Sequence, residues 1–558
     1  MKIKDCAKGY NRGISKVFSP ERTFRSVLRK IKSMDPPILK SYFEVLRPGK
    51  IPQYAFIGTE SYRRLVKKIM LVPKTAGSNG KGHFKEQAKA SGLMELVERY
   101  SCCKYIVENQ YVARICSFRD LKSNAFQLED LYADFVDDAY RDILEDEGLK
   151  AAKIRWYEGY SLNGSKVYLP MSLIILLLEG TNGMASGNSL EEALLHAVCE
   201  VIERHCLSLI ELSKSVTPDI DISTIDSPIA NKIIKKLQSP KYRIYIKDFS
   251  LGIGVPVIGV VRQVDNTNYI ITAGVATTRE EALIRALTEN SQGEGRENYR
   301  ERDRIKNYLA GDKTIRFEEI LNVDDNNMKV ELENIANILE QRNMKIFYIN
   351  TTDKSLNIPS VIVYISGAKT IYYHECINSR NVIMLLMKEF FDTENYRDFM
   401  RYLQKAVTNN YVDKSGDDYF RGIIFKRRSQ YKKAIDCLSR VVKTDVTEPC
   451  GSEKADIRIY SFINMGLCYQ AINDMGAAAD CYLKAIDLSQ DSRIEDLQPS
   501  YDNIRSLSKS MDLFKNGCHL YQNIRALRIR FPKVSAEEFK TIFLRIPERR
   551  RKGPVGVA

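Results

Sequence analysis

Residues Asn182–His205 read NGMASGNSLEEALLHAVCEVIERH. Leu194, Leu195, Val198, Val201 and Ile202 are dense enough for a helix buried around most of its circumference. Yet Glu192, His196, Glu200 and Glu203 stand at offsets of zero, four, eight and eleven. At ~100° per residue those offsets fall within about 80° of one another, so one polar stripe runs along an apolar helix. Two further segments repeat the pattern at offsets of zero, four and seven: Ser91, Glu95 and Glu98 in ASGLMELVERY, and Arg285, Glu289 and Gln292 in LIRALTENSQ. Carboxylates on buried helices need a compensating partner, because uncompensated buried charge is very costly. Several converging on one site call for divalent cations, and Mg²⁺ held by a few carboxylates commonly also holds phosphate oxygens.

Glycine-containing turns are expected ahead of each helix: Gly77–Gly82 with Lys81, Thr181–Gly187 with Asn182, and Gly274. Glycine lets backbone N–H groups approach a phosphate, and a helix N-terminus favours the anion. None is a Walker A loop, since Lys81 is followed by Gly82 and Thr75 stands where the first glycine would be. No kinase-type glycine-rich loop is present either.

The chain has 558 residues, too many for one core, and is 44% hydrophobic and 28% charged, which fits a multidomain globular protein. Its longest apolar run, Leu173–Leu178, has six residues against the roughly 20 needed to span a bilayer. No apolar stretch follows MKIKDCAKGYNRG, so a cytoplasmic protein without membrane attachment is expected. The twelve cysteines form no C-x-x-C pair and read as reduced core thiols. With five histidines, a His-rich metal site is disfavoured and a hard cation on carboxylates is favoured. Part of the +14 net charge sits in a tail holding Arg525, Arg528, Arg530, Lys533, Arg545, Arg549, Arg550, Arg551 and Lys552. That tail reads either as a solvated end or as a contact for RNA, the ribosome or an acidic partner.

Two textures divide the chain. Over 1–395, helical patterns alternate with β-branched runs at Tyr242–Ile246, Val255–Val261, Tyr269–Thr272, Lys345–Ile349 and Val361–Ile365, giving an α/β domain. Leu321–Arg342 reads as a polar link followed by a helix. Over 396–558 helical periodicity dominates. Gly422 precedes Ala434, and Gly466 precedes Ala478, each by twelve residues, with Tyr469, Tyr482 and Ala485 completing the second copy. The pattern resembles tetratricopeptide (TPR) repeats, with an elongated turn around Cys450 and a degenerate third pair over 501–521. A generic helical bundle is the alternative; either way the region reads as a docking surface.

The three carboxylate segments, in this order, resemble the YcaO family. The resemblance rests on Gly80–Ser101, Asn182–His205 and Arg279–Gln292, with Asp248–Val261 leading into the third and Lys8–Thr23 similar to the family's N-terminal element. It implies an α/β fold with ATP and Mg²⁺ bound among helices. Glu95, Glu98, Glu200 and Glu203 would be metal ligands, and Lys81, Ser91, Asn182, Glu192, Arg204, Arg285 and Glu289 would line the nucleotide. Arg285 and Glu289 would also act catalytically, and Lys8 and Arg12 are further candidates. The family often has Q-S-R where this chain reads Gln292, Gly293, Glu294, with Arg296 displaced, which puts an arginine's role there in doubt.

The chemistry implied is attack on a peptide carbonyl, phosphorylation of the amide oxyanion by ATP, and loss of phosphate to leave an azoline or a thioamide. No Ser–His or Cys–His nucleophile is then required, and His196 and His205 read as packing residues with proton transfer as the sharper alternative. The chain ends ERRRKGPVGVA, with one proline where azoline-forming relatives often carry a proline-rich tail, and helices intervene. Thioamidation or a methylthiolation-accessory role is therefore expected over azoline formation. Expected partners are a protein or peptide substrate and a TfuA-like or other sulfur-delivery or leader-binding protein, and the sequence is also compatible with a homodimer. Two other readings stay open: a non-catalytic ATP-binding scaffold acting through its TPR-like module, and an ATP-grasp or kinase-like phosphotransferase.

Overall fold

The five β-branched runs all fall on strands of the computed structural model. It describes residues 2–488 except 46–50, 67–76, 110–112, 122–125, 127–146, 172–173, 175–179, 239–241, 293–298, 312, 370–378 and 444–452. The expected third helix pair over 501–521, the basic tail, and Gly293, Glu294 and Arg296 lie outside the described residues.

An N-terminal hairpin pairs β1 (Tyr10–Asn11) with β2 (Ser15–Lys16). A small antiparallel sheet has the order β3 (Leu39–Glu44), β4 (Gln53–Gly58), β5 (Gly77–Lys81). A second sheet has the order β6 (Arg114–Cys116), β7 (Ile154–Ser161), β16 (Ile346–Asn350), β17 (Ser360–Ile365), β9 (Met184–Ser186), with β8 (Lys166–Leu169) paired to β7. A six-stranded sheet runs β14 (Arg300–Glu301), β13 (Asn268–Val275), β12 (Val257–Gln263), β11 (Ile244–Asp248), β10 (Asp219–Ile220), β15 (Thr314–Ile315); within it β10 and β15 are parallel. Alternate residues of β12 enter two cores, Val257 and Val261 on one face, Ile258 and Val260 on the other. A strand covered on both faces needs apolar residues without alternation, which is why the run reads VIGVV.

Helix α1 (Pro20–Lys32) starts on Ser19, whose hydroxyl accepts from Arg22 N–H, with Pro20 at the first helical position. Helix α2 (Lys85–Asn109) lies on β4 and β5. Helix α3 (Leu190–Ser213) packs on β9, β17 and β13, so it touches two sheets at once. That position explains its apolar girth: Leu194, Ala197, Val198, Ile202 and Ile210 are all buried. Its N-cap is Ser189, which accepts from Glu192 N–H. Helices α4 (Pro228–Leu237) and α5 (Arg279–Gln292) share the second core, α5 lying on β12 and β13, and α6 (Met328–Glu340) packs on α3. The last of these is the helix expected within Leu321–Arg342.

Two of the three glycine segments differ from expectation, while Thr181–Gly183 is a turn. Gly77–Lys81 is not a phosphate-cradling turn but strand β5, and Gly274 lies inside β13. Their glycines mark close crossings of strand and helix. A Cβ on Gly80 would lie 1.8 Å from Ala88 O and 2.5 Å from Gly92 N, and one on Gly274 would lie 2.4 Å from Ala282 O. Backbone cannot yield there as a side chain would, so glycine is needed for approach rather than for a turn.

Contacts divide the chain into two compact units, Met1–Ala151 with Arg155–Ile377, and Ala152–Ile154 with Asn378–Ala558. In the second unit the described helices are α7 (Ser379–Asp392), α8 (Tyr396–Thr408), α9 (Lys414–Arg427), α10 (Tyr431–Lys443), α11 (Glu453–Ala471) and α12 (Met475–Leu488), each packed on the next. Among the described residues no helix is long and apolar enough to cross a membrane.

Gly80→Ala should lower stability by about 1–3 kcal/mol through overpacking of β5 on α2, measured by urea unfolding of the full chain. A loss of under about 0.5 kcal/mol, ordinary for a surface substitution, would show that the crossing can open freely.

Candidate active site

Helices α2, α3 and α5 each turn their polar stripe toward one region, and Lys81 at the end of β5 joins them. Its ammonium pairs with the Glu289 carboxylate of α5. Burial pushes Lys81 down to about 8; Glu95 and Glu203 pull it up, and Arg285 and Arg204 push it down again. One lysine thus feels charges from all three helices. Burial also raises Glu98, and the charges of Glu200 and Glu95 raise it further. Glu200 is raised by burial as well, with Arg204 and Arg285 pulling it down and Glu203 and Glu95 pushing it up. The structure therefore brings together Lys81, Glu95, Glu98, Glu200, Glu203, Arg204, Arg285 and Glu289.

Their individual contacts differ. Glu95 accepts from Asn79 N–H at 3.2 Å and pairs with Arg99, whose other nitrogen donates to Gly77 O at 2.6 Å. The i,i+4 spacing of Arg99 from Glu95 is the sequence signal for such a pair. Arg204 lies 3.8 Å from Glu203. Ser91 is half-buried one turn before Glu95. Asn182 is buried, and its Oδ1 has no hydrogen-bond partner among the described residues.

Glu192 stands apart from the acidic group. Its carboxylate accepts from Val17 N–H at 2.8 Å and from Asn188 N–H and Nδ2, and Lys16 lies 3.7 Å away, so it ties the N-terminal hairpin to α3. Lys8 is bound 2.6 Å from the buried Glu331, and Arg12 is exposed. A small cleft opens between these elements, lined among others by Lys16, Glu192, His196, Cys199, Thr277 and Arg285. His196 is held neutral by burial and by Arg285, Lys16 and Lys81. His205 is pushed down to about 4 by burial and by Lys369 and Arg342, and its Nδ1 accepts from Lys369 N–H at 3.0 Å. The cysteines seen are buried free thiols.

These residues suit Mg²⁺ and a polyphosphate. Like-charged carboxyls raised by each other's fields are the arrangement a cation relieves. Among the described residues no three His, Cys, Asp or Glu side chains converge as a ready metal cage. Mg²⁺ needs only one or two carboxylates and completes its shell with water and phosphate. The cations Lys81, Arg204 and Arg285 beside the carboxylates offer the contacts that phosphates need.

A family model described as "YcaO cyclodehydratase, ATP- and Mg2+-binding" matches residues 79–369, more than half of the chain. An uncharacterized protein of Methanothermobacter thermautotrophicus is 26% identical over 316 residues, covering 52% of this chain and 80% of that one. The Escherichia coli ribosomal protein S12 methylthiotransferase accessory factor YcaO is 28% identical over 240 residues, 39% of this chain and 41% of that one. Among solved structures, a heterocyclase in complex with substrate and cofactor is similar in fold, with a TM-score of 0.55 at 19% identity over 66% of this chain and 54% of that one. The matches thus span under two thirds of the E. coli factor and of the heterocyclase.

Removing one of the opposed charges should separate stability from binding. Glu98→Gln is expected to stabilise the metal-free protein by about 1–2 kcal/mol and to weaken Mg²⁺-dependent nucleotide binding at least tenfold. Thermal unfolding without metal and calorimetric titration with it read the two effects; destabilisation with unchanged binding would contradict the assignment.

Proposed function

The chain belongs to the YcaO family, and from that premise we propose that it uses ATP and Mg²⁺ to activate a peptide backbone amide by phosphorylating its oxygen. One observation carries the reading: acidic side chains from α2 and α3 meet Lys81, Arg204 and Arg285 in one recess. An amide oxygen leaves poorly and a phosphate leaves well, so bound Mg·ATP would supply the leaving group. What remains for the protein is positioning and charge neutralisation.

The residues divide that work. Glu95, Glu98, Glu200 and Glu203 would hold Mg²⁺, with Arg99 yielding its partner Glu95 when the cation arrives. Lys81, Arg204 and Arg285 would face the phosphates, and Asn182 and Ser91 would supply neutral polar contacts. Glu289 holds Lys81 in place and Arg285 stands one turn before it, so that pair would neutralise charge as it develops. Glu192 would act on the nucleotide side by fixing the hairpin that borders the cleft.

We take residues 1–395 as the catalytic domain and 396–558 as a TPR-like docking module; by contacts the second compact unit already begins at Asn378, so α7 groups with the helices of the module. Its support is the fit of small against large residues. Ala434 and Ala478 are buried, a Cβ on Gly422 would meet Leu438, and one on Gly466 would meet Tyr482. Such a module suits a peptide substrate or a sulfur-delivery or leader-binding partner. The name of the E. coli relative, an accessory factor for methylthiolation, favours sulfur chemistry or assistance to it over azoline formation.

Wild-type protein should hydrolyse ATP only with Mg²⁺, and Glu200→Gln should lower the rate at least 10²-fold, the scale on which a transition-state charge contact acts. Equal, negligible turnover in both, with no nucleotide binding by calorimetry, would sink the enzyme reading. Mass spectrometry of a modified substrate should show oxygen exchanged for sulfur; loss of water would select azoline formation instead.

A further inference from the structure

Helix α5 ends in a way the active-site reading leaves unexplained. The last four carbonyls of a helix have no partner within it and carry its partial negative charge. In α5 those belong to Glu289, Asn290, Ser291 and Gln292. Two are satisfied by buried side chains from two different sheets. Gln53, on β4 of the small sheet, donates its Nε2 to Ser291 O at 3.1 Å. Arg262, on β12 of the six-stranded sheet, donates NH2 to Asn290 O at 3.2 Å and Nε to Asn290 Oδ1 at 2.7 Å. The Asn290 amide then donates to Val260 O, Ile270 O and Thr272 Oγ1, each at 3.2 Å. Asn290 and Ser291 are wholly buried, and Gln53 and Arg262 are nearly so.

The placement of Gln53 matters as much as its contact. In the β4–β5 register Gln53 is directly opposite Lys81. The two cross-strand neighbours therefore grip one helical turn together, Lys81 by the Glu289 carboxylate and Gln53 by the carbonyl two residues on. Arg262, on β12, holds the same turn by the carbonyl and side chain of Asn290. A helix end with unpaired carbonyls frays, and fraying here would carry Glu289 away from Lys81.

We propose that Gln53 and Arg262, acting through the buried Asn290, form a two-sided cap on α5 that positions Glu289 against Lys81 and so sets the affinity of the Mg·ATP site. The proposal rests on the ATP reading above. Gln53 and Arg262 act through the end of α5 and are positioning residues.

A double-mutant cycle separates this role from general stabilisation. The Mg²⁺ complex of a non-hydrolysable ATP analogue is titrated by calorimetry into full-length wild type, Gln53→Met, Glu289→Gln and the double variant, with thermal unfolding recorded for each. Gln53→Met should bind about tenfold more weakly, a coupling of ~1.4 kcal/mol. The double variant should bind within about twofold of Glu289→Gln alone, because the cap has nothing left to position. Wild-type affinity in Gln53→Met, or penalties that multiply in the double variant, would overturn the cap. If Gln53→Met does not fold, Gln53→Asn, whose amide is too short to reach Ser291, enters the same cycle with the same expectation. A wild-type protein that binds no Mg·nucleotide overturns the ATP reading and the cap with it; binding by wild type that Gln53 does not influence overturns the cap alone.

Discussion

Like charges forced together in a half-buried recess are the constraint on which the rest of this structure depends. Burial and the charges of Glu200 and Glu95 raise the proton affinity of Glu98, and burial with Glu203 and Glu95 raises that of Glu200, while their helices are held by large apolar surfaces. Neither helix can turn away, because α2 lies on the small sheet and α3 on two sheets at once. The repulsion is therefore fixed into the fold, and a bound cation is what relieves it. Sites that store such conflict commonly trade stability for function.

The conflict is tolerable because countercharges come from outside the acidic pair. Lys81 arrives on β5, paired with Glu289 of α5, Arg204 follows Glu203 on α3, and Arg285 arrives on α5. Convergence of these elements requires strands and helices to approach almost backbone to backbone. The glycines at 80, 92 and 274 permit that approach, and their lack of a side chain serves distance rather than flexibility. Shape and charge are thus coupled: a methyl group on β5 would move Lys81 as well as the helix behind it.

Much of this was legible in the sequence, for identifiable reasons. Strands such as Val257–Gln263 and Ser360–Ile365 are covered on both faces, so their runs are unbroken and easily read. The polar stripes of α2, α3 and α5 stood out because their surroundings are so apolar. Strand β5 is not legible as a strand, because GSNGK lacks every local strand signal and owes its conformation to tertiary pairing with β4. Two-residue strands such as β10 and β15 are too short to leave a periodicity. Side-chain allegiance was least visible: Glu192 lies on the same stripe as Glu200, yet its carboxylate turns to the N-terminal hairpin. Gln53 and Arg262 gave no sign of their contacts, since nothing local in a sequence marks a donor that caps a helix more than 25 residues away.

The central claim is that carboxylates of α2 and α3 hold the metal that accompanies ATP. Anomalous diffraction from Mn²⁺, in crystals grown with a non-hydrolysable ATP analogue, tests it most directly. The account places the anomalous peak in contact with carboxylate oxygens from both helices, Glu95 or Glu98 on one side and Glu200 or Glu203 on the other, and with the phosphates. A peak bound elsewhere, or nucleotide bound with no metal on these carboxylates, would contradict it.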